Sequence, residues 1–172
     1  AEAGRSTRTI GAALDGVGLG PDGSVWGGEL LACSAEGFER LGTLEALPLP
    51  GGDRAAGNAG AALLLSIDCE DWIEPLLSGP EVSPWMLAAL PRLAASPNTP
   101  RTSALGRWFD AAAALLGLCR IQKDEATAAM RLESAAAPIL RHVPETQILA
   151  GFDPTGTIQE GVLSLAPFWK SF

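Results

Sequence analysis

The sequence predicts an α+β fold, in which a small β-meander comes first and helices follow. Apolar residues alternate with a period of two between glycine-rich turns at the start of the chain, and later recur three or four positions apart. The same order of elements is expected from part of an α/β domain whose remaining strands lie elsewhere. We therefore predict a β part over about residues 7–50 and a helical part over about residues 54–172.

The predicted meander has three strands, at residues 7–15, 24–33 and 38–47. Ile10 and Leu14 give the first strand its period-two pattern. The third strand leads into proline and glycine residues, which predict a stiff turn that halts strand pairing.

Helical patterns fill most of the remaining chain. One helix is expected at residues 55–66 and a shorter one at residues 68–77. Ser83 and Pro84 form an N-cap and first helical position, and Pro91 should kink or shorten the helix that they begin. A weaker amphipathic helix is expected at residues 158–168.

The strongest helical pattern follows Thr102 and Ser103, either of which can cap it, and ends at Gly117. A further helix is expected at residues 124–140, with acidic residues at its favourable N-terminal end. The stripe that the first of these two helices should bury consists of Leu105, Trp108, Phe109, Ala112, Leu115 and Leu116.

Composition and charge narrow the classes of function. The 172 residues carry a formal net charge of −8, with 12 Lys and Arg against 20 Asp and Glu. Because nucleic acids and anionic membranes are bound through basic patches, we expect neither as a partner. The longest apolar runs are also too short to span a bilayer.

Cysteine and histidine content indicates a cytoplasmic protein without a structural zinc site. Cys33, Cys69 and Cys119 are widely spaced and odd in number, which favours reduced thiols, and we expect all three to be buried. The only histidine, His142, is expected at the surface. The first residues lack an initiator Met and a signal-peptide pattern, and we expect them to mark an internal cut.

Residues 15–29 read DGVGLGPDGSVWGGE, and this stretch dominates the sequence. Glycines after a strand predict a turn whose free amides can cradle an anion, and Asp15 suits a metal ion or a polarised water. The alternative is a β-hairpin without a ligand, because Asp22-Gly23 is a familiar hairpin signal. The glycine spacing and the strand that follows exclude a dinucleotide fingerprint. The residues alone leave both alternatives open.

Gly106 and Asp110 lie four residues apart in the strongest helix and therefore share a face. Glycine in the middle of a helix costs roughly 1 kcal/mol relative to alanine, so Gly106 needs a reason. One reason is the crossing of another backbone, and the other is a ligand that lies against the helix and donates hydrogen bonds to Asp110. The pattern does not decide between them.

Three segments in this order resemble the Kae1-like domain of the HypF carbamoyltransferases, which are NiFe-hydrogenase maturation proteins. They are LDGVGLGPDGSVWGGELL, GFERLGTLEALPLPGGDRAA and TSALGRWFDAAAALLGL. The resemblance runs from about residue 10 to about residue 133, with a fainter similarity to the end. It implies a partial actin/Hsp70/sugar-kinase-like fold, which binds ATP between two lobes.

The resemblance also implies a reaction. Enzymes of this family hydrolyse carbamoyl phosphate and use ATP to form carbamoyl-adenylate. The carbamoyl group then passes to a C-terminal cysteine of the partner protein HypE, on the route to the cyanide ligands of the hydrogenase iron. Related O-carbamoyltransferases of the NodU and TobZ type use the same nucleotide-binding core on small-molecule hydroxyls.

Site residues follow from the same resemblance. Asp15 matches an aspartate that contacts the active-site metal, a divalent ion such as Fe or Zn. The match favours the ligand explanation for Gly106. The implied nucleotide-binding residues are Gly16, Gly18 and Gly20 near the phosphates, Gly27, Gly28 and Glu29 of the WGGE motif, Gly106 and Asp110 near the ribose, and Glu125 of a YEGQ-like segment.

The chain also departs from the family pattern. The HHxAH-type histidine pair expected just before Ala1 is not in these residues, and Asp15 alone makes a poor metal site. The glycine of the YEGQ segment is replaced by Ala126. The late GGVFQN-like and DGG-like motifs and the acylphosphatase, zinc-finger and YrdC-like domains are likewise not in this sequence.

Three functions therefore stay open. The chain is a segment of a maturation carbamoyltransferase with a HypE-like acceptor, a small-molecule O-carbamoyltransferase, or a non-catalytic remnant with weak nucleotide affinity. No residue is a convincing nucleophile or general base, since Cys119 has no neighbouring His or Lys to activate its thiol. We expect the isolated chain not to turn over carbamoyl phosphate with ATP.

Overall fold

The structure, a computed structural model, describes residues 8–50, 84–122, 124–144 and 158–165. The helices expected at residues 55–66 and 68–77, and Cys69, lie outside this part of the chain. Its elements, in chain order, are β1 (Thr9–Leu19), β2 (Val25–Cys33), β3 (Phe38–Leu44), β4 (Leu47–Pro48), α1 (Pro84–Ala95), β5 (Arg101–Thr102), α2 (Leu105–Leu115), α3 (Thr127–Leu140), β6 (Ile158–Gln159) and β7 (Val162–Leu163).

The predicted meander is confirmed. β1 pairs antiparallel with β2, and β2 pairs antiparallel with β3. At the tip of the first hairpin, Gly23 N donates to Gly20 O over 3.0 Å, and Ser24 N donates to Asp22 Oδ1 over 3.0 Å. Gly23 has a φ of 77°, which a glycine adopts without steric cost. The Asp22-Gly23 hairpin signal is therefore correct.

Short strands extend the sheet beyond the meander. β5 runs parallel to β2 and pairs antiparallel with β4, while β7 runs parallel to β3 and pairs antiparallel with β6. The strand expected at residues 38–47 is therefore divided, because β3 ends at Leu44 and the chain pairs again at Leu47, with β5 as the partner.

The helix expected at residues 158–168 is wrong where the structure describes this segment. β6 and β7 form a hairpin whose turn residues, Glu160 and Gly161, have φ values of 47° and 78°. Positive φ at both central residues is typical of a tight two-residue hairpin turn. The apolar spacing resembled a helix, but pairing of Val162 with Thr43 places the segment in the sheet.

The N-terminus of α2 differs from the prediction. Its N-cap residue is Ala104, which has no side chain able to cap. Thr102 Oγ1 accepts a hydrogen bond from Ala104 N over 3.1 Å, and the hydroxyl of Ser103 instead donates to Glu29. The expected cap by Thr102 or Ser103 is wrong because both hydroxyls serve the loop that joins β5 to the helix.

The C-terminus of α2 is as predicted. Gly117 has a φ of 67°, and its N–H donates to Ala114 O over 3.0 Å. The next amide, Leu118 N, donates to Ala113 O over 2.8 Å. These two hydrogen bonds define a Schellman motif, for which glycine is the preferred residue.

Prolines do not end the other two helices. α1 continues past Pro91 to Ala95, and α3 contains Pro138. α3 begins at Thr127 rather than at residue 124, because Ala126 adopts the left-handed conformation and cannot belong to the helix.

The core lies where α2 packs on β1 and β2 and where α3 packs on α2. The stripe expected on α2 is only partly correct, since Trp108 is buried but Phe109 and Leu116 are 41% and 66% exposed. The buried apolar residues in the described part of the chain include Leu44, Leu47, Leu49, Leu90, Ala104, Trp108, Ala111 and Ala114.

Cys119 is buried and His142 is exposed, as predicted. Cys33 is exposed, so its expected burial is wrong: it is the last residue of β2, and the alternation of the strand turns it away from the buried Ala32. No helix in the described ranges combines the length and the hydropathy needed to cross a membrane.

Candidate functional site

A bulge in β1 displaces three residues from the strand ladder. Leu14 and Gly18 each pair with β2, but residues 15–17 between them lie opposite Gly27 alone. Extra residues on one strand bend it and release their side chains from the normal alternation. The turn expected at residues 16–20 is therefore wrong, since β1 extends to Leu19.

Two of the amides in the row expected at residues 16–20 are hydrogen-bonded within the chain. Gly16 N donates to Asp15 Oδ1 over 2.6 Å, and Gly20 N donates to Ser24 O over 2.9 Å. Both donors thus have acceptors within the chain. These two amides are therefore not free, and an anion cradle at residues 16–20 stays a prediction.

Helix α2 crosses β1 at the bulge. A Cβ atom on Gly106 would lie 2.8 Å from the Cα atom of Gly16, a distance that real Cβ atoms essentially never show. Backbone crossing is therefore sufficient to explain Gly106, although the resemblance favoured a ligand. The same close approach fixes the bulge against the first turn of α2.

A cavity of about 700 Å³ opens beside this crossing, between the bulge, α2 and α3. Its volume is within the range of small-molecule sites. Leu49, Leu105, Phe109 and Ala129 contribute apolar surface. Five residues that the sequence implicated as ligands line the same cavity: Asp15, Gly16, Gly106, Asp110 and Glu125.

Arg107 and Asp110 form a buried ion pair at the wall of this cavity. Arg107 Nη1 lies 3.0 Å from Asp110 Oδ2, and each side chain is 8% exposed. Among the described residues, neither Arg107 Nε nor Asp110 Oδ2 has a hydrogen-bond partner. Buried polar atoms normally have partners, so unpaired ones at a cavity can accept or donate hydrogen bonds to a bound molecule.

Burial raises the pKa of Asp110 from 3.8 to about 6, because desolvation disfavours the charged carboxylate more than the Arg107 guanidinium favours it. A carboxylic acid with a raised pKa beside a cavity is a frequent property of binding and catalytic sites.

The N-terminus of α3 forms the facing side of the cavity. Ala126 has φ 58° and ψ 8° and carries no capping group, and Gln122 Oε1 accepts from Ala128 N over 3.1 Å. Glu125 is exposed at the edge. A non-glycine residue in the left-handed region is strained, so the alanine at this position has an energetic cost.

Glu29 of the WGGE motif does not line this cavity. Both of its carboxylate oxygens accept hydrogen bonds from the protein itself. Its Oε2 atom accepts from Gly27 N over 2.7 Å and from Gly28 N over 2.8 Å. Its Oε1 atom accepts from Arg40 Nη2 over 3.1 Å and from the Ser103 hydroxyl. The buried carboxylate thus ties β2 to β3 and to the loop before α2.

The remaining glycines also lie outside the cavity lining, at close approaches. A Cβ on Gly28 would meet Ser103 O at 2.3 Å, and one on Gly20 would meet the Trp26 indole at 2.3 Å. Gly18 and Gly27 are similarly confined, by Trp26 O and Asp15 O. Packing is enough to explain these four residues, and their contact with a nucleotide stays a prediction.

The described residues do not fit a resident metal ion. They contain no cluster of three or more His, Cys, Asp or Glu side chains with suitable geometry. Asp15 Oδ1 accepts from Gly16 N, and among the described residues Asp15 belongs to no such cluster. Its role as a metal ligand stays a prediction.

Reasoning from the sequence missed two residues of this site. Arg107 was not singled out, although its spacing of three from Asp110 in a helix allows them to pair. Phe109 was assigned to the buried stripe, but it lines the cavity. Both could have been identified from the sequence, because they are adjacent to Gly106 and Asp110 in the first turns of the same helix.

The chain is similar to known proteins in both sequence and fold. The family described as "Carbamoyltransferase, Kae1-like Domain, second subdomain" matches residues 11–171. A carbamoyltransferase HypF homolog of Cupriavidus necator is 43% identical over 162 residues, which are 91% of this chain and 40% of that protein. Carbamoyltransferase HypF2 of the same organism is 48% identical over 79% of this chain and 17% of its own length.

Two solved structures agree. HypF of T. kodakarensis has a TM-score of 0.75 and 30% identity over 95% of this chain and 22% of its own. A full-length HypF in the phosphate- and nucleotide-bound form has a TM-score of 0.67 and 34% identity over 77% of this chain and 18% of its own. The chain has a Kae1-like fold of the kind found in carbamoyltransferases. It belongs to the HypF family and spans less than half of the length of these relatives.

Proposed function

We propose that this chain provides a nucleotide-binding part of a HypF-type carbamoyltransferase, and that its cavity holds the nucleoside of ATP. The observation that carries the proposal is the buried carboxylate of Asp110, whose Oδ2 atom keeps an unused acceptor position at the cavity wall. The nucleotide-bound state of a similar HypF supports the choice of ligand.

The charges of the cavity favour the ribose over the phosphates as the group bound there. Asp15, Asp110 and Glu125 bring three carboxyl groups, and Arg107 brings one guanidinium. Neutral hydroxyl groups can donate to carboxylates, whereas phosphates would be repelled. Arg107 acts as a positioning residue, because it lies against Asp110 Oδ2 and limits the rotamers of that carboxylate.

In the complete enzyme, we propose that carbamoyl phosphate and ATP give carbamoyl-adenylate and that a HypE-like protein accepts the carbamoyl group on a cysteine during NiFe-hydrogenase maturation. The names of the similar proteins support a carbamoyltransferase. A cytoplasmic location belongs to the same proposal and suits the free thiols of Cys33 and Cys119.

Calorimetric titration with ATP tests the nucleotide site. We expect the wild-type chain to bind ATP and Asp110→Asn to bind it about ten-fold more weakly, since a hydrogen bond to a charged acceptor contributes about 1.5–3 kcal/mol. The exposed Glu133→Gln on α3 is the matched control and should bind like the wild type. Equal affinity of Asp110→Asn and wild type would remove Asp110 from the site.

A further inference from the structure

Phe109 is an aromatic side chain at the cavity wall that the core does not use. It is 41% exposed, whereas its neighbours Trp108 and Asp110 are 2% and 7% exposed. A large apolar ring with this much free surface, in the middle of a packed helix, contributes little to the core. Phe109 lines the cavity of about 700 Å³, so its free surface is available to a ligand.

Small and aliphatic side chains line the same cavity as the ring. Ala126, the N-cap residue of α3, and Ala129 within α3 line one part of it, and Leu49 and Leu105 add further apolar surface. Alanine side chains end at Cβ, so this side of the cavity carries little side-chain bulk. A flat apolar group fits such a lining better than a charged one.

Phe109 is next to Asp110 in the sequence, and both line the cavity. A nucleoside joins a flat heteroaromatic base to a sugar with hydroxyl groups. One nucleoside can therefore place its base at Phe109 and its hydroxyls at Asp110.

We propose that Phe109 is the stacking surface for the nucleotide base and supplies the base-dependent part of the affinity. The proposal rests on the proposed function of the cavity. Stacking on an aromatic side chain accepts any base, and larger rings overlap more. Phe109 therefore selects purine over pyrimidine nucleotides.

Calorimetry on the 172-residue chain with ATP and CTP tests this assignment. Phe109→Leu keeps an apolar side chain and removes the ring, and Phe109→Trp restores a larger ring. The matched control is Phe38→Leu, because Phe38 is also an exposed phenylalanine, 53% exposed, and lies in β3 outside the cavity. Thermal unfolding of each variant verifies that the fold is retained.

We expect Phe109→Leu to weaken ATP binding about five- to thirty-fold and to reduce the preference for ATP over CTP. Phe109→Trp should bind ATP at least as tightly as the wild type, and Phe38→Leu should be unchanged. A wild type that binds ATP with the same affinity as Phe109→Leu would overturn the stacking role and leave the nucleotide site standing. A wild type that binds neither nucleotide would overturn the nucleotide function and the stacking role together.

Discussion

The Cα atom of Gly16 lies 2.8 Å from the position that a Cβ atom on Gly106 would occupy. Gly106→Ala should therefore destabilise the chain by about 1–3 kcal/mol, because overpacking against backbone outweighs the better helix propensity of alanine. Chemical denaturation followed by far-ultraviolet circular dichroism measures the free energy of unfolding.

The control for this substitution is Gly11→Ala in β1, where a Cβ atom would have no neighbour within 4 Å. Its stability should stay within about 0.5 kcal/mol of the wild type. If Gly106→Ala is more stable than the wild type, the close crossing of α2 and β1 is wrong.

Ala126→Gly should stabilise the chain by about 1 kcal/mol. Ala126 holds the left-handed conformation before α3, with φ 58° and ψ 8°, and glycine adopts it without the Cβ penalty. The higher entropy of unfolded glycine offsets part of this gain. The midpoint of chemical denaturation reports the result.

Ala135→Gly, within α3, is the control and should have the opposite effect on stability. Ala135 is exposed in the interior of α3, so glycine there should cost about 1 kcal/mol. Destabilisation by both substitutions to a similar extent would show that Ala126 has ordinary helical geometry.

The sequence predicted those parts of the fold that depend on local chemistry. The hairpin at Asp22-Gly23 and the helix end at Gly117 were correct, because each needs only a turn-forming residue at one position. The shared face of Gly106 and Asp110 also followed from helix periodicity. These features depend on neighbours in the chain and not on distant contacts.

The parts that the sequence did not predict depend on tertiary contacts. The bulge at residues 15–17 forms where β1 meets α2, and Phe109 lines a cavity to which β1 and α3 also contribute. The strand at Val162 results from pairing with β3, more than a hundred residues earlier. The resemblance brought Asp15, Asp110 and Glu125 to one site, but residue patterns alone did not.

Asp110 should make stability depend on pH between about 4 and 6. The folded state keeps its proton up to a pKa of about 6, whereas the unfolded carboxyl loses it near 3.8. The folded state therefore binds more protons in this window, and its stability should fall as pH rises. The full difference is about 3 kcal/mol, from 1.36 kcal/mol per pH unit.

The measurement is the free energy of unfolding of wild type and Asp110→Asn at several pH values from about 4 to 7. Asparagine does not titrate, so the difference between the two proteins should change across the window and become constant above it. A difference that is independent of pH would show that Asp110 has an ordinary pKa.

Glu29→Gln should destabilise the chain by about 2–4 kcal/mol without acting on a ligand. Both carboxylate oxygens accept hydrogen bonds from buried donors, including Gly27 N and the Ser103 hydroxyl, and an amide can replace only one of the oxygens. Glu36→Gln, on an exposed loop, should have little effect in the same denaturation experiment. A stable Glu29→Gln protein with weakened ATP binding would instead support a ligand role for Glu29.

The most direct test of the site compares ATP with 2′,3′-dideoxy-ATP on wild type and Asp110→Asn by calorimetry. If Asp110 accepts hydrogen bonds from the ribose, removal of its hydroxyls should weaken binding to the wild type about ten-fold and have little effect on the variant. Equal affinity of the wild type for both nucleotides would contradict the account, because Asp110 would then not bind the ribose.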